Sequence, residues 1–300
     1  MSSDEDHVLY KDRSDWADVK PLDIETDKDS VINIAYSETF RDCYGYLRAV
    51  LKSGELSERV FELTTTCADE NPSCYTVWLL RRKLIAHLKK DLREELDFMV
   101  TQIQENQKNY QVWYHRQKMV EWLGDPAGEL EFIRNMLEWD AKNYHAWQYR
   151  QWILRKFNLW DGELAVCDEM LAKDCRNNSA WNQRYFVVLN STGFTSEVMD
   201  SEIEFTLDSV REVNYNESSW NYLRGIFKHA NDKQKAHIIN VLEKEFSSGR
   251  KSVFSLSILL DTYEATGQKD LALKAAEQLK EHDLLRANYW DFRARLLREE

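Results

Sequence analysis

Two lysines in this sequence, Lys108 and Lys142, stand directly before an Asn-Tyr pair. The asparagine of each pair is a natural N-cap, because its side chain can accept hydrogen bonds from the free amides of a first helical turn. A lysine there adds an ammonium group to the positive end of a helix, and this combination favours anions such as phosphates. Most lysines are merely solvated, and because both lysines hold the same place relative to the Asn-Tyr pair, this local position does not choose between them.

Beyond these lysines the chain carries no self-sufficient catalytic set. It lacks a Ser/His/Asp grouping and a glycine-rich loop that could cradle phosphate. Its five cysteines are odd in number, and spacings such as Cys67 to Cys74 do not fit a zinc knuckle. We therefore predict no metal site in this chain, cysteines that are mostly core residues in a reducing compartment, and no activity for the chain alone.

An internal repeat defines the elements that must position the lysines. Tryptophans recur at gaps of 35, 34, 34 and 39 residues, and Trp290 lies two further periods along. An arginine follows most of them by three residues, and an asparagine precedes most of them by four. The regularly spaced tryptophans are Trp78, Trp113, Trp147, Trp181 and Trp220.

Large apolar or aromatic residues surround three of these tryptophans at helical spacing. In one repeat they are Tyr144, Trp147, Leu154 and Phe157, at slots −3, 0, +7 and +10 from the tryptophan. Such spacings favour one face of a helix, and we expect the tryptophans on it to be core residues. A second helix, with a start signal such as Asp125-Pro126, fills the rest of each period.

Each period is therefore predicted to be a helix–turn–helix unit, which cannot bury its apolar faces alone and must stack on its neighbours. We predict an all-α fold, an α-α superhelix (solenoid) of about seven helical hairpins with a crescent shape. The repeat domain is predicted over residues 31–300. Residues 1–30 contain ten acids and four bases and are predicted to form a loosely ordered acidic arm.

Charge and hydropathy exclude several functional classes. The net charge is −12, which argues against nucleic acid as the main partner, because phosphate backbones require a basic surface. No signal peptide and no apolar run of 18–20 residues is present, so we expect no transmembrane segment and a cytoplasmic location. The recurrent arginines are predicted to be structural and to pair with carboxylates near helix ends, for example Asp140 or Asp174, and with backbone carbonyls.

The repeat does not follow the tetratricopeptide consensus but reads Asn-x-x-x-Trp-x-x-Arg. Three segments carry it most clearly: NPSCYTVWLLRR from Asn71, KNYQVWYHR from Lys108 and KNYHAWQYRQW from Lys142. These closely resemble repeats of the protein prenyltransferase α subunits, in particular those of farnesyltransferase and geranylgeranyltransferase type I. The resemblance is clear over about residues 31–230 and weaker beyond.

The resemblance implies a heterodimer with a β subunit that holds zinc and most of the active site. The family transfers an isoprenoid from its diphosphate to the cysteine thiol of a C-terminal CaaX motif. It implies zinc bound by the β subunit, magnesium for the farnesyl reaction, and isoprenoid diphosphates and CaaX-protein C-termini as ligands.

The same resemblance singles out site residues. Lys108 matches the lysine that opens the family's Lys-Asn-Tyr-x-Val-Trp motif and faces the isoprenoid diphosphate, which makes it the catalytic candidate. Tyr144 and His145 match a pair near that diphosphate, although core packing of Tyr144 and an ordinary capping role for His145 remain alternatives. Tyr110 and Gln111 lie at the same loop-to-helix edge, and Gln111 resembles a position near the peptide carboxylate.

Two other functions remain open from the sequence. A Rab geranylgeranyltransferase α subunit shares the repeat, but its repeats differ around the tryptophans and many members carry extra domains. A non-catalytic helical-repeat scaffold that binds peptides or partner helices would not need Lys108, Tyr144 and His145 to converge.

Overall fold

The computed structural model describes residues 8–23, 31, 34–249 and 252–299. Within these residues it contains fifteen α-helices and no strand. The chain divides into two compact units, residues 1–150 and 151–300. The helices of the first unit are α1 (Glu38–Ser53), α2 (Glu58–Glu70), α3 (Tyr75–Leu88), α4 (Leu92–Glu105), α5 (Tyr110–Leu123), α6 (Glu129–Trp139) and the start of α7 (Tyr144–Phe157).

The second unit contains the remainder of α7 and eight further helices. They are α8 (Glu163–Lys173), α9 (Asn178–Asn190), α10 (Ser196–Glu212), α11 (Glu217–Phe227), α12 (Asp232–Ser247), α13 (Val253–Ala265), α14 (Lys269–His282) and α15 (Ala287–Glu299). Counted from α2, the described helices form seven successive pairs, which confirms the predicted all-α fold of about seven hairpins. The second helix of each pair carries the repeat tryptophan, except α13, where Ser255 takes its place.

The regular spacing of the repeat has a hydrogen-bonding basis. The tryptophans are buried, and the indole N–H groups of Trp78, Trp113, Trp147, Trp181 and Trp220 donate to the carbonyl six residues earlier, at 2.9 Å for Trp113 and Gln107. Trp290 donates instead to the side chain of Asp283. Asn109 is the N-cap of α5, and its Oδ1 accepts the Gln111 N–H at 2.9 Å. These contacts fix each turn between two helices, and the predicted asparagine caps are confirmed at Asn109, Asn143, Asn177 and Asn216.

Only part of the apolar stripe is buried. The tryptophans and the +7 residues are buried, but the −3 residues Tyr75, Tyr110 and Tyr144 are 74%, 62% and 62% exposed. At about 100° per residue, slot −3 lies about 60° to one side of the tryptophan and slot +10 about 80° to the other. The two edges of the stripe therefore lie at the margin of the core, and the alternative that Tyr144 is a core residue is wrong.

The recurrent arginines are structural, as predicted, and Arg116 donates to the Leu96 carbonyl at 2.9 Å, which confirms the predicted contact with a backbone carbonyl. Their carboxylate partners differ from the prediction. Arg116 donates to Glu129 at 2.7 and 2.9 Å, and both side chains are almost fully buried. Tyr149, from the next repeat, donates its hydroxyl to the same carboxylate at 2.7 Å. The arginine points to the middle of the stack, whereas Asp140 ends α6 at its edge, so the pairing of an arginine with Asp140 is wrong.

The same arrangement recurs at Glu95, which accepts from Arg81 and lies 2.7 Å from Nε2 of His115. Burial raises the pKa of the Glu95 carboxyl, but the hydrogen bonds from His115 and Arg81 outweigh burial and hold the pKa below its ordinary value. A buried charge is tolerated only when it is paired and hydrogen-bonded. These carboxylates therefore join consecutive repeats and are not available for chemistry.

The N-terminal arm is partly ordered, contrary to the prediction for residues 1–30. Residues 1–7 and 24–30 of that arm lie outside the described residues. In residues 8–23, the rings of Tyr10 and Trp16 are fully buried, and the Leu22 N–H donates to the Gly45 carbonyl at 3.0 Å. Aromatic residues within the acidic arm bury enough apolar area to order this stretch against α1 and α2.

Candidate functional site at the starts of α5 and α7

Lys108 lies in the turn between α4 and α5, immediately before the N-cap Asn109. The side-chain oxygen of Asn109 accepts hydrogen bonds from the backbone N–H groups of Gln111 and Val112. The Lys108 side chain is 79% exposed. The predicted position of Lys108 at a helix start is therefore correct, and its ammonium group is accessible to a ligand.

The turn that carries Lys108 is held by the repeat that follows it. The Gln107 carbonyl accepts from the indole of Trp113 at 2.9 Å and from Nδ2 of Asn143 at 3.2 Å. His145, on the first turn of α7, hydrogen-bonds to the backbone of Lys108. Two adjacent residues of the turn are thus attached to the start of α7, which brings Lys108 beside Tyr144 and His145.

Three aromatic rings form a cluster next to this turn. The Tyr110 and His145 rings meet edge-to-face with centroids 4.3 Å apart, and those of Tyr144 and His145 with centroids 5.6 Å apart. His145 is only 8% exposed, whereas both tyrosine rings are largely exposed. Burial lowers the pKa of His145, and its hydrogen bond to the Lys108 backbone offsets part of this effect. His145 is therefore a neutral, positioned ring at neutral pH.

Gln111 is the least engaged of the predicted site residues. It lies half-buried on the first turn of α5, next to Tyr110. Its backbone N–H is capped by Asn109, and its side chain has no hydrogen bond to any of the residues that the structure describes. The structure thus brings together Lys108, Tyr110, Tyr144 and His145, with Gln111 at the edge of the cluster.

A carboxylate that the sequence analysis assigned elsewhere also belongs to this cluster. Asp140 ends α6, and its Oδ2 lies 3.8 Å from Nζ of Lys108. Its Oδ1 accepts the N–H of Lys142 at 3.1 Å. The sequence signal was available, because a short polar side chain occupies the same slot, seven residues before the tryptophan, at Asn71, Asn106, Asp140 and Asp174.

The chemistry open to this cluster is electrostatic. An ammonium group and two exposed tyrosine hydroxyls can donate to an anion, and the ligand would meet them at a helix start, where the backbone also favours negative charge. Among the described residues, no group of three or more His, Cys, Asp or Glu side chains could hold a metal ion. The arrangement suits binding of a phosphate-like group and contains no nucleophile placed to attack it.

Successive helix pairs with the Asn-x-x-x-Trp-x-x-Arg signature define a helical-repeat protein. The family model described as "protein prenyltransferase alpha subunit repeat" matches residues 57–88, 92–123, 126–157 and 160–191. A protein farnesyltransferase/geranylgeranyltransferase type-1 subunit alpha from Solanum lycopersicum is 39% identical, over 97% of this chain and 92% of its own length. The chain belongs to the protein prenyltransferase alpha subunit family.

A solved structure supports the same assignment. The chain superposes on a chain of Candida albicans protein geranylgeranyltransferase-I complexed with GGPP, with a TM-score of 0.85, 30% identity and coverage of 94% of this chain and 98% of the other. A geranylgeranyl transferase type-2 subunit alpha from Rattus norvegicus is 32% identical over only 25% of this chain and 15% of its own length. The full-length likeness therefore lies with the type-1 and farnesyl enzymes. In the described residues, no helix is long and apolar enough to cross a membrane.

Proposed function

We propose that this chain pairs with a prenyltransferase β subunit to form a cytoplasmic enzyme that transfers a farnesyl or geranylgeranyl group to the cysteine of a CaaX motif. The likeness to type-1 alpha subunits over nearly the whole chain supports this activity. In the reaction, the thiolate sulfur forms a bond to the isoprenoid carbon as the carbon–oxygen bond to the diphosphate breaks. Both electrons of that bond leave with the diphosphate, which gains negative charge.

Lys108 is proposed to stabilise the leaving diphosphate. The observation that carries this role is that an exposed ammonium group, two exposed tyrosines and a positioned histidine lie at the adjoining starts of α5 and α7. Fixed donors aimed at a developing charge are the usual way in which enzymes lower such a barrier. Tyr110, Tyr144 and His145 are proposed to bind the diphosphate end of the lipid, and Gln111 the peptide carboxylate.

The metal ions are proposed to lie outside this chain. The described residues offer no ligand set for zinc, so we assign zinc to the β subunit, where it would supply a thiolate by lowering the thiol pKa. Magnesium is proposed for the farnesyl reaction. No step that we assign to Lys108, Tyr144 or His145 depends on either ion.

The test is farnesyl transfer to a CaaX peptide by this chain co-purified with a farnesyltransferase β subunit. Lys108→Ala should lower the rate of transfer sharply without loss of the heterodimer. Lys142→Ala is the matched control, because it removes a lysine from the same slot of the next repeat. Equal losses in both variants would contradict the selection of Lys108, and failure to pair with β subunits of either CaaX enzyme would contradict the proposed activity.

A further inference from the structure

Asp140 is an acidic residue in a cluster that otherwise favours anions. Its Oδ2 lies 3.8 Å from the Lys108 ammonium, and its side chain is one-third exposed, at 33%. The remaining oxygen accepts the Lys142 N–H at 3.1 Å within its own turn. The carboxylate thus has two separate contacts, one inside the α6–α7 turn and one to the lysine of the preceding repeat.

The contact within the turn does not require a charge. Asn71 occupies the same slot at the end of α2, and its Oδ1 accepts the Ser73 N–H at 3.1 Å. At the end of α10 the slot holds Val213, which has no polar side chain. Because an amide or an apolar side chain is sufficient at this position, the turn does not require the negative charge of Asp140. That charge can instead attract the Lys108 ammonium.

The geometry of the ion pair indicates a weak and replaceable contact. A separation of 3.8 Å exceeds the 2.7–3.2 Å of a direct N–H···O hydrogen bond, so the ammonium keeps its donors free for another partner. Because Lys108 is largely exposed, solvent screens the attraction to Asp140. An anion that binds Lys108 must nevertheless compete with a carboxylate already beside it.

We propose that Asp140 is a positioning residue that acts as a competing counter-ion for Lys108. When no ligand is bound, the Asp140 carboxylate holds the Lys108 ammonium beside the start of α7. When the diphosphate is bound, Asp140 competes for the same ammonium, lowers the affinity for the diphosphate and so favours its release. This inference rests on the proposed function, in which Lys108 contacts the diphosphate. It adds a residue to which no role in that site has been assigned.

The experiment compares Asp140→Asn with Asp125→Asn in the heterodimer, using farnesyl diphosphate as the probe. An asparagine at position 140 keeps a side-chain oxygen that can accept the Lys142 N–H, as Asn71 accepts the Ser73 N–H in its own turn. Asp125 is the matched control, because its Oδ1 also accepts an N–H two residues on, from Ala127 at 3.0 Å, and its other oxygen pairs with an exposed arginine, Arg93. We expect Asp140→Asn to lower the Kd for farnesyl diphosphate about 2- to 5-fold and Asp125→Asn to leave it unchanged.

Two further measurements separate the counter-ion role from a structural one. The gain in affinity should shrink as ionic strength rises, and it should disappear in the Lys108→Ala background because Asp140 acts through that lysine. An unchanged or higher Kd for Asp140→Asn, or a gain that persists without Lys108, would overturn the inference. If Lys108→Ala itself leaves the Kd and the rate of transfer unchanged, the proposed function of Lys108 fails instead.

Discussion

The starts of α7 and α11 are built on the same framework but display different side chains. In the first unit, Nδ2 of Asn143 donates to the Gln107 carbonyl, which also accepts the indole N–H of Trp113. In the second unit, Nδ2 of Asn216 donates to the Cys175 carbonyl at 2.7 Å, and that carbonyl also accepts the indole N–H of Trp181. The two junctions thus share their N-caps and the attachment to the preceding turn.

The displayed side chains separate the two junctions. The first presents Lys108 on the attached turn, with Tyr144 and His145 on the helix start, and the corresponding positions of the second are Arg176, Glu217 and Ser218. Ser218 even preserves the attachment, since its hydroxyl donates to the Arg176 carbonyl at 3.3 Å. The comparison teaches that the repeat supplies a common framework, and that the side chains displayed on this framework distinguish the two junctions.

The largest expected effect tests whether the framework is the same at both junctions. Trp147→Ala and Trp220→Ala each remove a buried indole that donates to a carbonyl six residues earlier. We expect each to lower the free energy of unfolding by about 3–5 kcal/mol, measured as the shift in Tm of the heterodimer at fixed concentration. If these variants do not yield heterodimer, the Trp→Phe pair makes the same comparison. A severe loss at one tryptophan beside a negligible loss at the other would break the equivalence.

Removal of an asparagine cap should lower stability at both junctions but weaken ligand binding only at the first. Asn143→Ala and Asn216→Ala each remove a buried cap and a donor to the preceding turn, so each should cost about 1–2 kcal/mol of stability. Only Asn143→Ala should also raise the KM for farnesyl diphosphate, because only that cap positions the Lys108 turn. Matching increases in KM for both variants would mean that the effect is a general loosening of the repeat.

The sequence was sufficient to predict the framework. The 34-residue period, the asparagine caps and the buried tryptophans follow from local rules, because each needs only the spacing within one repeat. The placement of Lys108 at a helix start was predicted in the same way. The selection of Lys108 over Lys142 came from family resemblance, and the structure adds that the rings of Tyr110, Tyr144 and His145 lie together beside the Lys108 turn.

The features that the sequence did not predict all depend on which helices and turns are neighbours in the fold. Asp140 faces Lys108 because consecutive turns lie side by side, and no spacing within one repeat reveals that contact. The arginine partner Glu129 lies on an adjoining helix, thirteen residues from Arg116. The burial of Trp16 requires α1 and α2 as a surface, so composition alone indicated a loose arm where residues 8–23 are packed.

A smaller effect is expected from a single hydroxyl at the first junction. Tyr144→Phe removes a donor from a ring that is 62% exposed, so the Tm of the heterodimer should not change. We expect the Kd for farnesyl diphosphate to rise about 2- to 10-fold, the value of one hydrogen bond. Tyr215→Phe, at an exposed ring beside the start of α11, is the control. An unchanged Kd for Tyr144→Phe would remove its hydroxyl from the proposed site.

The smallest expected effect is a difference in the pH dependence of stability between wild type and His145→Ser. Burial lowers the pKa of His145 in the folded chain, whereas an unfolded histidine titrates near about 6.5. The unfolded chain therefore binds more protons as the pH falls, so the contribution of His145 is present above that range and is lost as the pH falls through it toward the lowered folded value. Serine stands at the corresponding place in the second junction and does not titrate, so between pH 7 and 5 the Tm of His145→Ser should fall less steeply than that of wild type. Parallel Tm profiles would contradict a pKa of His145 that is lowered in the folded chain.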